Sequence, residues 1–170
     1  MKNKLMVVLL VFACVGLCFA CGMDEESKDY LRIHIRANSN SLEDQNVKYE
    51  IKEDVVEFLT PYIIECATYE DVVDLIESKK SEIEKLCDSV LRNNGFDYSS
   101  EVKIDNEYFP TRAYQDLSLE ANFYDALIIN LGTGEGDNWW CVVYPPLCFK
   151  DTKNVIYKSK IVELINKFFK

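Results

Sequence analysis

The first regular pattern in the chain is a strict alternation of apolar and polar side chains over residues 31–37. One side of this segment is formed by Leu31, Ile33, Ile35 and Ala37, and the other by Arg32, His34 and Arg36. Because successive side chains of a strand point to opposite faces, the pattern predicts a half-buried β-strand.

Two helical patterns follow this strand. Apolar residues recur at three- and four-residue spacing over residues 47–59 and again over residues 72–90. Ser41 and Thr68 precede these stretches, and each is followed three residues later by an aspartate, which is the spacing of a capping box. A short link near residue 67 therefore joins two helices into an antiparallel hairpin.

The second half of the chain predicts strands and a final helix. Residues 101–105 alternate, whereas residues 126–131 and 139–144 are continuous apolar runs that suit central strands covered on both faces. Residues 132–138, rich in glycine, are expected to join these two runs as a hairpin loop. Apolar spacing over residues 161–169 predicts a short C-terminal helix. The order β-α-α-β-β-β-α favours an α+β fold, a four-stranded sheet packed with the helical hairpin and the final helix.

The N-terminus has the layout of a secretory signal peptide. Lys2 and Lys4 precede an uncharged apolar run of 16 residues, too short for an ordinary membrane span, and acidic, polar residues follow. We expect residues 1–20 to be a signal peptide and residues 21–170 to be a single globular domain. A retained short anchor is the alternative. Cys21 would be the first mature residue, which also admits a lipoprotein signal.

Composition limits the classes of function. A hydrophobic fraction of 48% over 170 residues is ample for a packed core, so disorder is excluded as the main state. The net charge of −10 argues against nucleic acid and against charge-driven docking on anionic lipid. The sequence holds one histidine and no Gly-rich phosphate loop, so we expect neither a metal site nor a cofactor.

The spacing of the cysteines separates those that can pair from those that cannot. Cys141 and Cys148 bracket a Pro-Pro turn, and in an exported chain this arrangement favours a disulfide, with two buried thiols as the alternative. Cys66 lies at the link between the two predicted helices, and Cys87 lies most of the way along the second one. The two are roughly 25–30 Å apart, so they should not pair.

His34 is the obvious candidate for a general base, because it is the chain's only imidazole. Arg32 and Arg36 flank it on the same face of the strand and would lower its pKa, which favours a structural or anion-contacting role over catalysis. Asn38 and Ser39 follow the strand and precede the helix, where backbone N–H groups can hold an anion, although plain capping is the simpler interpretation.

Trp139 and Trp140 should point to opposite faces of their strand. One is then expected in the core, and the other is a candidate recognition anchor, with residues 109–112 beside it. The alternative is that both indoles are packed.

Three blocks of this sequence resemble the stage II sporulation protein R family. The first covers residues 32–45 with Lys48, the second is Phe109-Pro-Thr-Arg112 with Tyr114, and the third covers residues 138–149. They occur in the order of the family and span nearly the whole mature chain. Arg36 and Asn40 depart from the expected pattern, which has an aliphatic residue and an acid there.

The resemblance implies a signalling protein rather than an enzyme. Members are made in the forespore, secreted toward the intermembrane space, and activate a membrane-embedded aspartic protease of the mother cell that matures the precursor of sigma factor E. Membrane contact would be limited to the signal peptide or a lipid anchor. The partner surface is expected among Arg32, His34, Asn38, Ser39, Ser41, Phe109, Arg112, Trp139 and Trp140. The alternative is a cell-envelope hydrolase that uses His34.

Overall fold

The computed structural model describes residues 30–114 and 117–149. Its elements, in chain order, are β1 (Leu31–Arg36), α1 (Leu42–Ile63), α2 (Tyr69–Asn93), β2 (Ser100–Phe109), β3 (Arg112–Tyr114), β4 (Leu117–Leu119), β5 (Asn122–Leu131) and β6 (Asn138–Tyr144). Neither α1 nor α2 combines the length and the apolar composition that a membrane span needs. The predicted signal peptide, Cys21 and the predicted C-terminal helix lie outside the described residues.

The helical hairpin forms where the capping signals place it. Ser41 accepts a hydrogen bond from the backbone N–H of Asp44, and Thr68 and Asp71 form a reciprocal capping box at the start of α2. Pro61 lies in the last turn of α1, which continues to Ile63. The structure therefore confirms the two predicted helices and their antiparallel link.

The four-stranded sheet has the order β2-β5-β1-β6. β1 runs parallel to β5, with His34 opposite Ile128, and antiparallel to β6, with His34 opposite Trp140. β1 is thus a central strand, and residues 31–35 are all buried. The expectation of a half-buried strand is wrong because a second layer covers the face that carries the polar side chains.

The order of the elements and one connection differ from the prediction. The chain adds the two-stranded sheet β3–β4, and β1 separates β5 from β6, so residues 132–138 do not close a hairpin. These residues instead cross the end of β1, and we call them the crossing loop. Within this loop the N–H of Gly136 donates to the carbonyl of Ala37 at 2.8 Å. β6 is consequently an edge strand rather than a central one.

The sheet has a packed core on each face. The first core lies between the sheet and the helices and includes Ile33, Ile51, Ile76 and Ile129. The second core, on the opposite face, is formed by Phe109, Leu119, Tyr124, Ala126, Ile128 and Val142. Both faces of β1 and β5 therefore lie in apolar surroundings, where burying a polar side chain costs free energy unless it finds a partner.

The structure contains the predicted disulfide. Cys141 and Cys148 are linked, with their Cα atoms 6.3 Å apart, and the bridge ties the middle of β6 to the segment that follows this strand. Cys66 and Cys87 are free thiols, as expected. Burial raises the pKa of Cys87 to about 12, so this thiol is unreactive at neutral pH.

Candidate functional site

The face of the sheet that turns away from the helices carries the densest group of charged and aromatic side chains. We call it the polar face, and it is composed of Arg32, His34, Arg36, Glu107, Phe109, Arg112, Tyr114 and Trp140. Five of these are residues that the sequence singled out as partner contacts, and the fold brings them together. Trp139 points to the other side of the sheet, and Asn38, Ser39 and Ser41 lie at the start of α1.

The polar face is assembled by a curve in β2. β5 lies between β2 and β1 in the sheet, yet Glu107 and Phe109 of β2 contact side chains of β1. These contacts require the far half of β2 to fold over the polar face. As a result, Phe109 is fully buried, whereas its neighbour Tyr108 points outward and is 58% exposed.

Arg32 is fully buried among aromatic rings. Its guanidinium carbon lies 4.1 Å from the centre of the Phe109 ring and 5.1 Å from that of Tyr124, and its Nη2 donates to Tyr114 Oη at 2.5 Å. Nε and Nη1 have no hydrogen-bond partner among the described residues. Burial lowers the pKa of Arg32. The Arg32 charge has no carboxylate partner in the described chain. Cation–π contact therefore offsets much of the free-energy cost of burying this charge.

His34 is held by an acidic partner on β2. Its Nδ1 lies 2.8 Å from Glu107 Oε2, and Glu107 also forms a salt bridge with Arg36. Because a carboxylate only accepts hydrogen bonds, the neutral ring carries its proton on Nδ1. Nε2 is then a bare acceptor, and it is buried without a hydrogen-bond partner in the described chain.

Burial is the main influence on the protonation of His34. It lowers the pKa to about 4; the side chain of Asn138 opposes the shift, and the charges of Arg36 and Arg32 add to it. His34 is consequently neutral at neutral pH. Its depressed pKa agrees with the effect that the sequence predicts for two flanking arginines, although burial contributes more than they do.

The low pKa of His34 makes the free energy of unfolding depend on pH. In the unfolded chain the histidine is protonated as the pH falls through 6.5, whereas in the folded chain the ring is protonated only near pH 4. Stability should therefore be complete above pH 6.5 and fall by about 3 kcal/mol as the pH drops to 4. Urea unfolding from pH 7.5 to 4 measures this loss. His34→Gln should flatten that part of the profile, and an unchanged pH dependence in the variant would contradict the assignment.

The polar face lacks the nucleophile that an imidazole base would need. Nε2 contacts no hydroxyl or thiol among the described residues, and Ser39, the nearest serine in sequence, donates instead to Asp44 at 2.5 Å. The described segments also contain no group of three or more residues that could hold a metal ion. The side chains gathered on the polar face offer charge and aromatic contacts to a binding partner.

Arg112 and Trp140 form the accessible rim of the polar face. The guanidinium carbon of Arg112 lies 4.4 Å from the centre of the Trp140 ring, and Trp140 in turn packs on His34 with ring centres 5.2 Å apart. Arg112 is exposed, and Trp140 and Trp139 are both half-buried. The two tryptophans point to opposite faces, as strand alternation predicts, but neither is fully buried in the core.

Asn38, Ser39 and Ser41 form a hydrogen-bonded corner around Asp44. Asn38 and Ser39 donate to its carboxylate at 3.1 and 2.5 Å, and Ser41 accepts from its backbone N–H at 3.1 Å. A Cβ atom added to Gly136 would lie 2.3 Å from the Ser39 carbonyl, so the crossing loop presses directly on this corner. These contacts agree with the capping interpretation of the segment.

Several residues of the site escape sequence reasoning. Glu107, which pairs with His34, lies beyond the predicted strand 101–105, although the two-residue period continues from there to Phe109. Lys48 is almost fully buried and donates to the carbonyl of Asp137 at 2.9 Å, beside the same crossing loop. Extending the alternation would have found Glu107, but nothing in the sequence signals the curve of β2.

Comparison with known proteins identifies close similarity over most of the chain. The family described as Stage II sporulation protein R matches residues 27–154. A Bacillus subtilis (strain 168) protein of that description is 37% identical over 124 residues, which cover 73% of this chain and 55% of the relative. The chain thus spans about half the length of the curated relative it matches. No solved structure matches.

Proposed function

This chain belongs to the stage II sporulation protein R family and therefore has a role in sporulation, and we propose that it acts as an exported signal. In this proposal it is secreted from the forespore into the intermembrane space. Its partner there is a membrane-embedded aspartic protease of the mother cell, and activation of that protease triggers maturation of the precursor of sigma factor E. The chain itself is not an enzyme in this scheme.

The observation that carries the proposal is the Arg112–Trp140 pair at the rim of the polar face. Trp and Arg are the residue types most enriched among the side chains that dominate protein–protein binding energy. Here the two side chains are stacked 4.4 Å apart, at a position where a partner can cover them. Trp140 rests on the buried His34, so the pair is preorganised and loses little conformational entropy on binding.

Reconstitution of the purified chain with the membrane protease and its precursor substrate tests this contact. Arg112→Ala and Trp140→Ala should each weaken activation by about 30-fold or more, since a side chain of this kind contributes about 2 kcal/mol to binding. The control is Tyr108→Ala, which removes an exposed aromatic ring of β2, away from the Arg112–Trp140 pair, and should leave activation unchanged. Thermal melts confirm that each variant is folded. Full activation by folded Trp140→Ala protein would contradict the assignment.

The second candidate is the envelope hydrolase that uses His34. It is favoured by one observation, the buried Nε2 atom without a partner, which could accept a proton from a nucleophile supplied by a substrate or partner. The two functions separate with His34→Gln. A folded variant that still activates the protease supports signalling. A hundredfold loss of activity in the folded variant, together with a pH–rate profile of the unsubstituted protein that follows one imidazole, supports hydrolysis.

A further inference from the structure

A groove runs between α1 and the edge strand β6, on the side of the sheet opposite the polar face. Its volume is about 760 Å³. Val56 of α1 and Ile64, which follows its last residue, form one apolar wall. Trp139 and Phe149 contribute to the other wall, next to the disulfide. β6 lies at the edge of the sheet, and no other strand of residues 30–114 and 117–149 covers this side of the groove.

Both walls of the groove leave apolar side chains partly exposed. Ile64 is 46% exposed, and Trp139 is only half-buried although it borders the first core. Contiguous exposed apolar surface of this kind indicates a site that another segment covers.

The chain itself leads into the groove. Phe149, the last described residue, is 1% exposed and lines the groove, so the following residues start at its wall. Residues 161–169 carry Ile161, Leu164, Ile165, Phe168 and Phe169 at helical spacing. As a helix this segment would be about 13 Å long, shorter than the roughly 18 Å of α1 from residue 52 to residue 64. The intervening residues 150–160 can span more than 30 Å, which is long enough to reach either end of this part of the groove wall.

The charges of the two partners are complementary. Residues 150–170 contain six lysines and two acidic residues, while α1 contains six acidic residues and two lysines. Glu53 and Glu57 of α1 lie on the groove itself. A basic amphipathic helix placed here would bury its apolar side against Val56 and Trp139 and keep its lysines near these carboxylates.

We propose that residues 161–169 pack as a helix into the groove between α1 and β6 and complete the first core. This contact is intramolecular and does not depend on the proposed signalling function. Residues 155–170 lie beyond the segment that matches the family. It also covers Trp139, which leaves Trp140 as the accessible indole of the pair.

A disulfide trap in the chain from residue 21 to residue 170 tests the placement directly. Thr60 lines the groove, so Thr60→Cys combined with Leu164→Cys should form an intramolecular bridge under mild oxidation, in a background with Cys21→Ser and Cys66→Ser. The matched control is Glu77→Cys with Leu164→Cys, because Glu77 is exposed on α2 and does not line the groove. Equal trapping in both pairs would overturn the proposal. Bridges between two molecules would overturn it as well, in favour of a second copy as the occupant.

An apolar dye provides a second readout. Replacing Ile161, Leu164 and Phe168 with serine should uncover the groove and raise the fluorescence of the bound dye several-fold. The control replaces Glu163, Asn166 and Lys167, which lie on the polar side of the same helix, and leaves the net charge unchanged. Equal dye binding by the two variants would contradict the proposal. Thermal melts establish that both proteins retain the described fold.

Discussion

Phe109→Ala should lower the free energy of unfolding by about 3–5 kcal/mol, the usual cost of removing a fully buried aromatic ring. Here the ring does more than fill space. It faces the Arg32 guanidinium at 4.1 Å, and the rings of His34 and Tyr124 lie at 5.7 and 6.1 Å. Without it, a buried cation loses its nearest aromatic partner while remaining cut off from water.

The matched control for this prediction is Phe123→Ala. Phe123 lies on the same β2–β5 ribbon, but it is 56% exposed and its ring contacts that of the exposed Tyr108, so its removal should cost about 1 kcal/mol or less. Urea denaturation of both variants measures the difference. Equal losses for the two phenylalanines would show that β2 does not curve over the polar face.

Asp44→Ala should cost about 3 kcal/mol, because one buried carboxylate accepts from three partly buried donors. Ser39 and Tyr98 each donate to it at 2.5 Å, and Asn38 donates at 3.1 Å. Removing the acceptor costs about 1 kcal/mol for each hydrogen bond lost. Glu43→Ala, an exposed acid in the same first turn of α1, is the control and should change stability by only a few tenths of a kcal/mol.

Acid titration provides an independent check on Asp44. Burial alone would raise its pKa, but hydrogen bonds from Ser39, Tyr98 and Asn38 outweigh burial and lower the pKa below the ordinary 3.8. A carboxylate with a lowered folded pKa contributes stability that is present above its unfolded pKa and is lost as the pH falls through the folded value. The contribution should therefore persist to about pH 4 and disappear below it, and Asp44→Ala should lack this acid-induced loss.

The parts of the fold that the sequence predicts well are those fixed by local interactions. Ser41 and Thr68 act as N-caps through contacts three residues away, so their spacing is sufficient to place α1 and α2. The alternation over residues 31–37 likewise assigns Arg32 and His34 to one face, because the two-residue period of a strand is local.

The parts that sequence reasoning misses depend on contacts between distant segments. Nothing in residues 126–131 or 139–144 shows that β1 lies between them, because both runs are compatible with direct pairing. Phe109 illustrates the consequence for the site. Its position in a short aromatic block suggests a surface contact, yet the curve of β2 places it in the second core, where it offers no surface to a partner.

The central position of β1 also constrains the order in which the chain can fold. Arg36 pairs with Asn130, 94 positions later, and the other edge of β1 has no partner until β6 is present. The helical hairpin, whose contacts are local, can form early, whereas the sheet requires closure of a very long loop. A chain that emerges N-terminus first would therefore hold β1 unpaired until β5 has followed, and the other edge of β1 would stay open until residue 144 has followed. In the export that we propose for this chain, such delayed pairing would keep the polypeptide extended during its passage through a membrane pore, and the sheet would form only on the far side.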